Sequence, residues 1–536
     1  MVVRHLGKLN VRVRSAFALL AVCLILGACG GPSAGGGGDD TLVFGRNKDA
    51  VTLDFAVAPD GNSLNVARST AEGLTRYKAG SFDIEPGLAT AWTETNHGRT
   101  WTFVLRHGVK FHDGTMFDAD AVKFNFDRWR LKDNPYHKWG DFSYYASQFG
   151  GYPGTIAAVK ILASDRVEFD LTRPVAPLLV DFAMPSFSIA SPTAVKEQGP
   201  DYFRRPVGTG PYSVSEWVKD DHITLTAFPD YWGVKARIKT VILRDIPDPS
   251  TSLLALQHGD IDGWEYPQPG ALPQIRKDPN LTIYHLPPNN LMFLAMNELH
   301  APFTDLLVRR AIAEAIDTDA IVREFYDPSA VPAREFLPAA VRPHGVVTAL
   351  AHDPADARKL LAQAGFPHGF ATHLWFMTAP RPYLPEPQRV AEAIQQDLAK
   401  VGIQATLQGF EWGVYLSKVQ NGDHDLALYG WSGDNGDPDD FLYMILDKDS
   451  ATPPGANNVC FWKNDAFHAL MLAGQVETDP VKRDAIYRKA LLLIRDQVPA
   501  VSIVHNAPPT VFRSNVRGFV PRPDTAEDFS LMTLGK

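Results

Sequence analysis

Thr100-Trp-Thr-Phe-Val-Leu-Arg106 alternates apolar and polar residues with a period of two, which predicts a half-buried strand. The run His112-Asp-Gly-Thr115 follows, and its residue types are typical of a turn. A helix is predicted from Asp118 to Arg130, with Asp118 as its N-cap and several apolar residues on one side. Strand, turn and helix in this order indicate a domain that mixes α and β structure.

Length and composition indicate a multi-lobed globular protein. The chain has 536 residues, of which 45% are hydrophobic and 21% charged, and this is an ordinary globular composition. It is too long to form a single core, so two or three lobes are expected. The formal charge is −9, and no basic run follows residue 14. Nucleic acid is therefore not expected as a partner.

The first 28 residues predict a signal peptide. Basic residues within positions 1–14 precede an apolar run, 16–28, that is too short to span a bilayer comfortably. The run ends Leu26-Gly-Ala-Cys29, which resembles a bacterial lipoprotein box and implies that Cys29 carries lipid. Residues 29–40 are rich in glycine and predict a flexible tether.

A second unusual stretch is the acidic loop Trp431-Ser-Gly-Asp-Asn-Gly-Asp-Pro-Asp-Asp-Phe441. Its two glycines and its proline predict a turn between apolar flanks. The carboxylates could be only solvated, or they could bind calcium, form a catalytic pair or hold a positively charged ligand end. EF-hand spacing is not matched, because position 6 is Asp439 when the loop is counted from Asp434.

Catalytic motifs are not apparent. The sequence has no HExxH box, Walker loop, GxSxG elbow or dinucleotide fingerprint. Cys23 lies in the predicted signal peptide and Cys29 is the predicted lipid site, so Cys460 is left without a disulfide partner and is interpreted as a buried free thiol. His97, His107 and His112 occupy turn positions and are interpreted as structural or solvated. The sequence thus predicts no enzyme, no metal site and no cofactor.

A set of collinear motifs resembles the family-5 extracellular solute-binding proteins of ABC importers, over residues 41–536. The motifs are Leu88–Trp92, Thr100–Gly114, Ala119–Asn125, Gly208–Tyr212, Tyr231–Gly233, Leu256–Asp262, Val308–Asp317 and Asp353–Leu361. The resemblance implies an α/β fold in which two lobes close on a ligand like a clamp, with an extra subdomain on lobe I. The boundaries implied are 41–58, 209–286 and 505–536 for lobe I, 59–208 for the extra subdomain and 287–504 for lobe II.

Within that family, the acidic loop is similar to that of the dipeptide-binding proteins. This similarity implies that Asp434 pairs with a peptide ammonium and Arg381 with its carboxylate. Both pairings are chemically sound, because a carboxylate only accepts hydrogen bonds and arginine can grip a carboxylate bidentately. The other implied peptide-binding residues are Gly433, Asn435, Trp412 and Tyr383. For Trp412 and Tyr383, a place in the lobe II core remains an equal alternative.

The expected function follows from the resemblance. We expect a monomeric, lipid-anchored extracytoplasmic protein, attached to the bacterial cell membrane through Cys29. It would capture di- to oligopeptides and deliver them to an ABC permease and ATPase. One alternative is import of haem, glutathione or a metal chelate, and another is a peptide-binding surface sensor or chaperone without import. One departure is that Cys460 is single where the dipeptide-binding subgroup has a cysteine pair.

Overall fold

The computed structural model describes residues 40–58 and 60–535. The predicted signal peptide, Cys29 and all but the last residue of the predicted tether lie outside this part of the chain. Three larger sheets organise the described residues. We call the part around the seven-stranded sheet lobe I, the part around the six-stranded sheet lobe II, and the part around the four-stranded sheet the subdomain.

The sheet of lobe I is built around the strand Thr41–Arg46, which pairs in parallel with one strand on each side. In spatial order, its strands are Leu281–His285, Pro509–Arg513, Gly263–Glu265, Thr41–Arg46, Thr240–Asp245, His222–Ala227 and Tyr212–Val218. Apolar clusters cover both faces of this sheet, one around Phe44 and the other around Trp264.

The sheet of lobe II has two nearly continuous apolar strands at its centre. Asn290–Met296 is buried in all seven of its residues, as expected for a strand covered on both faces. In spatial order, the strands are Val331–Pro332, Ala500–His505, Asn290–Met296, Leu426–Ser432, Ala371–Met377 and Gln404–Phe410. The largest apolar cluster of the described residues surrounds this sheet.

The subdomain confirms the strand and the helix predicted at its start. The strand spans Thr100–Leu105 and the helix Ala119–Arg130, and Asp118 caps the helix by accepting from the backbone N–H of Ala121 at 3.0 Å. The four strands, in spatial order, are Ala89–Thr95, Thr100–Leu105, Arg166–Leu171 and Ile156–Ala163. Two short hairpin-like pairs complete the β structure: Thr75–Tyr77 with Ile84–Pro86, and Val516–Arg517 with Thr533–Leu534.

Helices cover the sheets, so the α/β class predicted from the sequence is confirmed. The α-helices are Gly61–Thr70, Ala119–Arg130, Ser143–Phe149, Leu178–Asp181, Pro192–Gln198, Pro249–His258, Leu272–Ile275, Leu306–Ala315, Thr318–Phe325, Pro354–Gln363, Pro387–Lys400, Trp412–Asn421, Pro438–Leu446, Asp465–Val476 and Pro480–Gln497. Short 3₁₀ turns occupy His137–Trp139, Pro185–Phe187, Gly199–Arg204, Lys448–Ser450 and Phe529–Leu531.

Among the residues that the structure describes, no helix combines the length and the apolar character needed to cross a membrane.

The chain passes between lobe I and lobe II at two neighbouring crossings, near Pro287 and Ala507. Two buried asparagines tie the crossings together: the side chain of Asn290 donates to the carbonyl of Asn506 at 2.8 Å, and its oxygen accepts from the Asn506 N–H at 2.9 Å. The strands of the three larger sheets lie within the segments predicted for lobe I, lobe II and the subdomain. The one exception is Ala500–His505 of lobe II, which ends one residue beyond the predicted boundary at 504. The exact domain boundaries remain a prediction.

Candidate functional site

Three parallel strands of lobe II end at one edge of its sheet. Ala371–Met377 pairs in parallel with Gln404–Phe410 on one side and with Leu426–Ser432 on the other. In open α/β sheets, ligands bind beyond the carboxyl ends of such strands. All six residues expected in the site follow these three ends: Arg381, Tyr383, Trp412, Gly433, Asp434 and Asn435.

The turn predicted over 431–441 is narrower in the structure. Leu426–Ser432 is still a strand at Trp431, and a helix begins at Pro438, so the irregular loop is only residues 433–437. The apolar run that follows, which the sequence placed as a flank, extends the helix to Leu446. Asp437 is the N-cap of this helix and accepts from the N–H of Asp439 at 2.9 Å.

The other acids of the loop are occupied by structural contacts. Asp440 is buried and accepts from the N–H of Asp434 at 2.7 Å and from the indole of Trp431 at 3.2 Å. Asp437 receives a bidentate pair from Arg483, at 2.5 and 2.8 Å. Asp439 accepts from Gln475 at 3.0 Å. These three carboxyl groups therefore stabilise the loop through hydrogen bonds and an ion pair.

Asp434 keeps a carboxylate oxygen for a ligand. Its Oδ2 accepts from the hydroxyl of Tyr144 in the subdomain at 3.3 Å, whereas no described residue donates a hydrogen bond to Oδ1. Burial raises the pKa of this carboxyl to about 7. A positively charged partner would favour the ionised form, so the site is suited to an ammonium group.

Gly433 and Asn435 hold the loop in place. Gly433 exchanges two hydrogen bonds with Asn289, one from its N–H at 2.8 Å and one to its carbonyl at 2.9 Å. A Cβ at Gly433 would lie 2.5 Å from the Asn289 amide nitrogen, so only glycine fits. The side chain of Asn435 is buried and donates to Asp181 of the subdomain at 2.9 Å. Their contact with a ligand remains a prediction.

Arg381 carries a positive charge without a carboxylate. Its guanidinium stacks 4.1 Å from the centre of the Trp412 ring, and no carboxylate of residues 40–58 or 60–535 forms an ion pair with it. Its Nε is buried and has no hydrogen-bond partner. Burying even part of a charged group is costly unless it is paired. A ligand carboxylate would supply the missing partner.

Tyr383 belongs to the lobe II core, one of the two alternatives that the sequence left open. Its side chain is buried, and its ring packs so closely on Gly430 that a Cβ there would lie 2.4 Å from it. Burial raises the pKa of its hydroxyl, and the nearby Arg381 lowers it in part. Tyr383 therefore lies in the core beside Arg381. Trp412 is only partly buried, packed against the same core, and it supports the guanidinium.

Sequence reasoning missed the residues that other parts of the chain bring to Asp434. Tyr144 is 290 positions away along the chain, and no local pattern reports such a pairing. Arg68, on the helix Gly61–Thr70, forms an ion pair at 2.5 Å with Asp524 of lobe I, and the charges of both residues also act on the pKa of Asp434. Although burial raises the pKa of Asp524, Arg522 and Arg68 hold it at about 2.

Cys460 and His112, two of the residues that the sequence interpreted as buried, structural or solvated, lie in buried surroundings. Cys460 is buried and has no disulfide partner among the described residues. His112 shares a hydrogen bond with the carbonyl of Gly210 at 3.0 Å, and burial lowers its pKa to about 4.

One group of potential metal ligands lies elsewhere in lobe II: Asp447, Asp449 and His468. The ring nitrogen of His468 is already hydrogen-bonded to Asp447 at 2.9 Å, and Asp447 caps a 3₁₀ turn. These contacts explain the group as part of the local fold.

The sequence of this chain is similar to those of known proteins. The model of the bacterial extracellular solute-binding proteins, family 5 (middle) matches residues 83–453. The dipeptide-binding protein of Escherichia coli K12 is 36% identical over 462 residues, which cover 84% of this chain and 86% of that protein. Heme-binding protein A of Haemophilus influenzae is 29% identical over 536 residues, covering 96% and 97%.

A solved structure is also similar: the ABC transporter-associated periplasmic binding protein DppA from Helicobacter pylori, in complex with the peptide STSA. It shares 31% identity, superposes with a TM-score of 0.83, and is matched over 92% of this chain and 98% of that one.

Proposed function

The chain belongs to the bacterial extracellular solute-binding proteins of family 5, and we propose that it captures short peptides between its two lobes and delivers them to an ABC permease and its ATPase. Members of this family bind solutes for transport and act outside the cytoplasm. The proposed activity is therefore capture and release, and it needs no covalent chemistry. The relatives named for dipeptide binding and for a bound peptide support this choice of solute.

One observation carries the proposal: two unsatisfied, oppositely charged groups stand at the same edge of the lobe II sheet. Asp434 has a free carboxylate oxygen, and Arg381 has no carboxylate partner among the described residues. A peptide at neutral pH presents an ammonium at one end and a carboxylate at the other. Each end would pair with one of these groups, and the pairing would offset the cost of burying all four charges.

The test replaces each charge by a neutral group of similar shape. Asp434→Asn and Arg381→Gln should each weaken the binding of a dipeptide at least ~30-fold, because each leaves one buried ligand charge unpaired. Isothermal titration calorimetry measures this loss. Asp423→Asn and Arg488→Gln, at exposed positions of lobe II, serve as matched controls and should bind like the wild type. Unchanged affinity in Asp434→Asn would remove Asp434 from the site.

Haem is the second candidate solute, favoured by the 29% identity to heme-binding protein A. A titration of the ligand-free protein with haemin, followed by the Soret absorbance, distinguishes the two solutes. Saturable binding that a dipeptide displaces would place both solutes in the same cleft. Saturable haem binding with no binding of any dipeptide would replace the proposal.

We further propose that the mature protein is a monomer anchored to the bacterial cell membrane by lipid on Cys29, and the N-terminal segment supports the anchor. A signal peptide of residues 1–28 and a glycine-rich tether of residues 29–40 suit such an anchor. Cys29→Ala should release the protein from the membrane fraction of cells. An unmodified Cys29 in the mass spectrum of the mature wild-type protein would contradict the anchor.

A further inference from the structure

Four polar side chains converge at the edge of the lobe I sheet. Arg46 ends the strand Thr41–Arg46 and Glu265 ends the neighbouring parallel strand Gly263–Glu265. Thr510 lies directly opposite Glu265 on the antiparallel strand. The fourth residue is Glu527, in the C-terminal segment. Burial and the charge of Glu265 raise the pKa of the Glu527 carboxyl group, and the charge of Arg46 lowers it. This edge is formed by the carboxyl ends of parallel strands, as in lobe II.

Each of these four side chains is almost fully buried and has one polar atom without a partner. Their exposed fractions are 2% for Arg46, 1% for Glu265, 0% for Thr510 and 3% for Glu527. The unpartnered atoms are Arg46 Nε, Glu265 Oε2, Thr510 Oγ1 and Glu527 Oε1. Buried polar atoms are normally hydrogen-bonded, so the three unpartnered oxygens indicate a ligand that binds to oxygen atoms, whereas the Nε–H of Arg46 is a donor and does not contribute to such a site.

The remaining contacts of the cluster fix the side chains of Glu265 and Arg46. Glu265 uses its other oxygen, Oε1, to accept from the N–H of Asn47 at 2.8 Å and from the side chain of Asn62 at 3.3 Å. Arg46 donates through its terminal nitrogen to the carbonyl of Asn62 at 2.5 Å. Glu265 Oε2 and Arg46 Nε therefore remain free while the side chains that bear them are fixed.

The charged groups around these atoms favour a cationic ligand. Arg46 is flanked in the sheet by Asp245 on one side and Glu265 on the other, and Glu527 is the third carboxyl group around it. Three acids against one guanidinium leave an excess of negative charge in a buried place. Such an excess is relieved by protonation or by a bound cation. The three orphan oxygens match the three N–H donors of an ammonium group.

Backbone strain accompanies the cluster. Tyr266, next to Glu265, has a φ of +49°, and Thr525, two residues before Glu527, has a φ of +58°. Positive φ is uncommon for an aromatic or a β-branched residue, and such strain concentrates at binding sites. The hydroxyl of Tyr266 donates to the carbonyl of Thr525 at 3.3 Å and links the two strained positions.

The cluster adjoins the Asp434 end of the cleft. The helix Gly61–Thr70 connects them, because Asn65 contacts Glu527 at 3.5 Å and Arg68 contacts Asp524 at 2.5 Å. Asp524 is close enough that its charge raises the pKa of both Asp434 and Glu527. A ligand whose ammonium end is held at Asp434 would therefore have its first residue at this end of the cleft.

We propose that the side-chain oxygens of Glu265, Thr510 and Glu527 form a second subsite, in lobe I beside Arg46, that receives one monovalent cationic group. The inference rests on the proposed function for the source of that group, which is then the side-chain ammonium of a lysine at the first position of a peptide. A free inorganic cation such as K⁺ shares this chemistry.

The experiment compares two dipeptides that differ only in this group, Lys-Ala and norleucine-Ala, by calorimetry. We expect the wild type to bind Lys-Ala at least ~tenfold more tightly, as a charge-assisted hydrogen bond to a buried carboxylate provides. Glu527→Gln and Thr510→Val should abolish or reduce this preference while the affinity for norleucine-Ala stays within about twofold. Glu197→Gln, on an exposed helix, is the matched control and should keep the preference.

A second arm tests the inorganic source on the ligand-free protein. If K⁺ is the guest, KCl should raise the melting temperature of the wild type above that in choline chloride of equal ionic strength, and Glu527→Gln should lose this effect. Equal affinity for the two dipeptides together with no K⁺ effect would overturn the subsite. Failure of both dipeptides to bind would instead count against peptides as the solute, and the K⁺ arm would still decide the subsite.

Discussion

The carboxyl group of Asp434 couples ligand binding to pH. Burial raises its pKa to about 7 in the ligand-free protein, in surroundings that include Tyr144, Asp440, Arg68 and Asp524. A bound ammonium stabilises the ionised carboxylate and lowers this pKa. Binding therefore requires deprotonation of Asp434 below pH 7. Because the α-ammonium of a free peptide itself loses its proton near pH 8, affinity should be highest between about pH 7 and pH 8 and should fall as the pH decreases.

The expected size of this effect is about a tenfold weaker affinity for each pH unit below 7, until the pKa of the complex is reached. Calorimetry of one dipeptide at several pH values between 5 and 8 measures it. Asp434→Asn has no titrating group at this position and should show a weak, nearly pH-independent affinity. A flat profile in the wild type would contradict the ammonium pairing.

Single residues also show what a sequence can and cannot predict. The acidic loop pointed to Asp434, because its motif is local and its chemistry is simple. It did not predict that Asn435 donates to Asp181, a residue 254 positions away, or that Tyr144 reaches Asp434. Pairings between distant segments depend on how the lobes close, and no local pattern contains that information.

At the scale of helices and strands, the sequence predicted the ends of an element well where a capping residue or an alternating apolar pattern marked them. The strand and helix of the opening stretch lie within one residue of their predicted ends, because Asp118 caps the helix as expected. The acidic loop was predicted too wide, since Trp431 and Ser432 complete a buried strand and Pro438 begins a helix. In the sequence, Pro438 suggests a turn. Proline is also favourable in the first turn of a helix, and this is where Pro438 lies.

The two crossings between the lobes depend on a pair of asparagines. Asn290→Ala removes the side chain that satisfies both the N–H and the carbonyl of Asn506. We expect it to lower the free energy of unfolding by about 2–3 kcal/mol, because two buried backbone groups lose their partners. Urea denaturation followed by tryptophan fluorescence measures this change.

The control for this prediction is Asn421→Ala, at the exposed end of the helix Trp412–Asn421, which should stay within about 0.5 kcal/mol of the wild type. An unfolding midpoint of Asn290→Ala equal to that of the control would show that the asparagine pair does not stabilise the crossings.

At the scale of the whole molecule, the predicted two-lobe α/β clamp is confirmed, and a solved relative superposes on this chain with a TM-score of 0.83. The motifs could predict this architecture because they are spread in order along most of the chain. They did not predict the contacts that bring the subdomain to lobe II. One such contact runs from the N–H of Ala176 to the carbonyl of Gln475 at 2.8 Å, and another from Arg173 to the Gln475 side chain at 3.0 Å.

The subdomain therefore contacts lobe II at the acidic loop. Tyr144 reaches Asp434 and Asp181 accepts from Asn435, so the ammonium end of a ligand would be enclosed by residues from more than one part of the chain. Enclosure of this kind explains why the pKa of Asp434 is raised although the loop is acidic and at the edge of a sheet.

Native mass spectrometry of the mature protein, purified without added ligand, tests the central claim most directly. We expect bound masses that spread over many short peptides, and we expect these masses to disappear in Asp434→Asn combined with Arg381→Gln. A single discrete non-peptide mass, or the same bound masses in wild type and double variant, would contradict capture of peptides between Asp434 and Arg381.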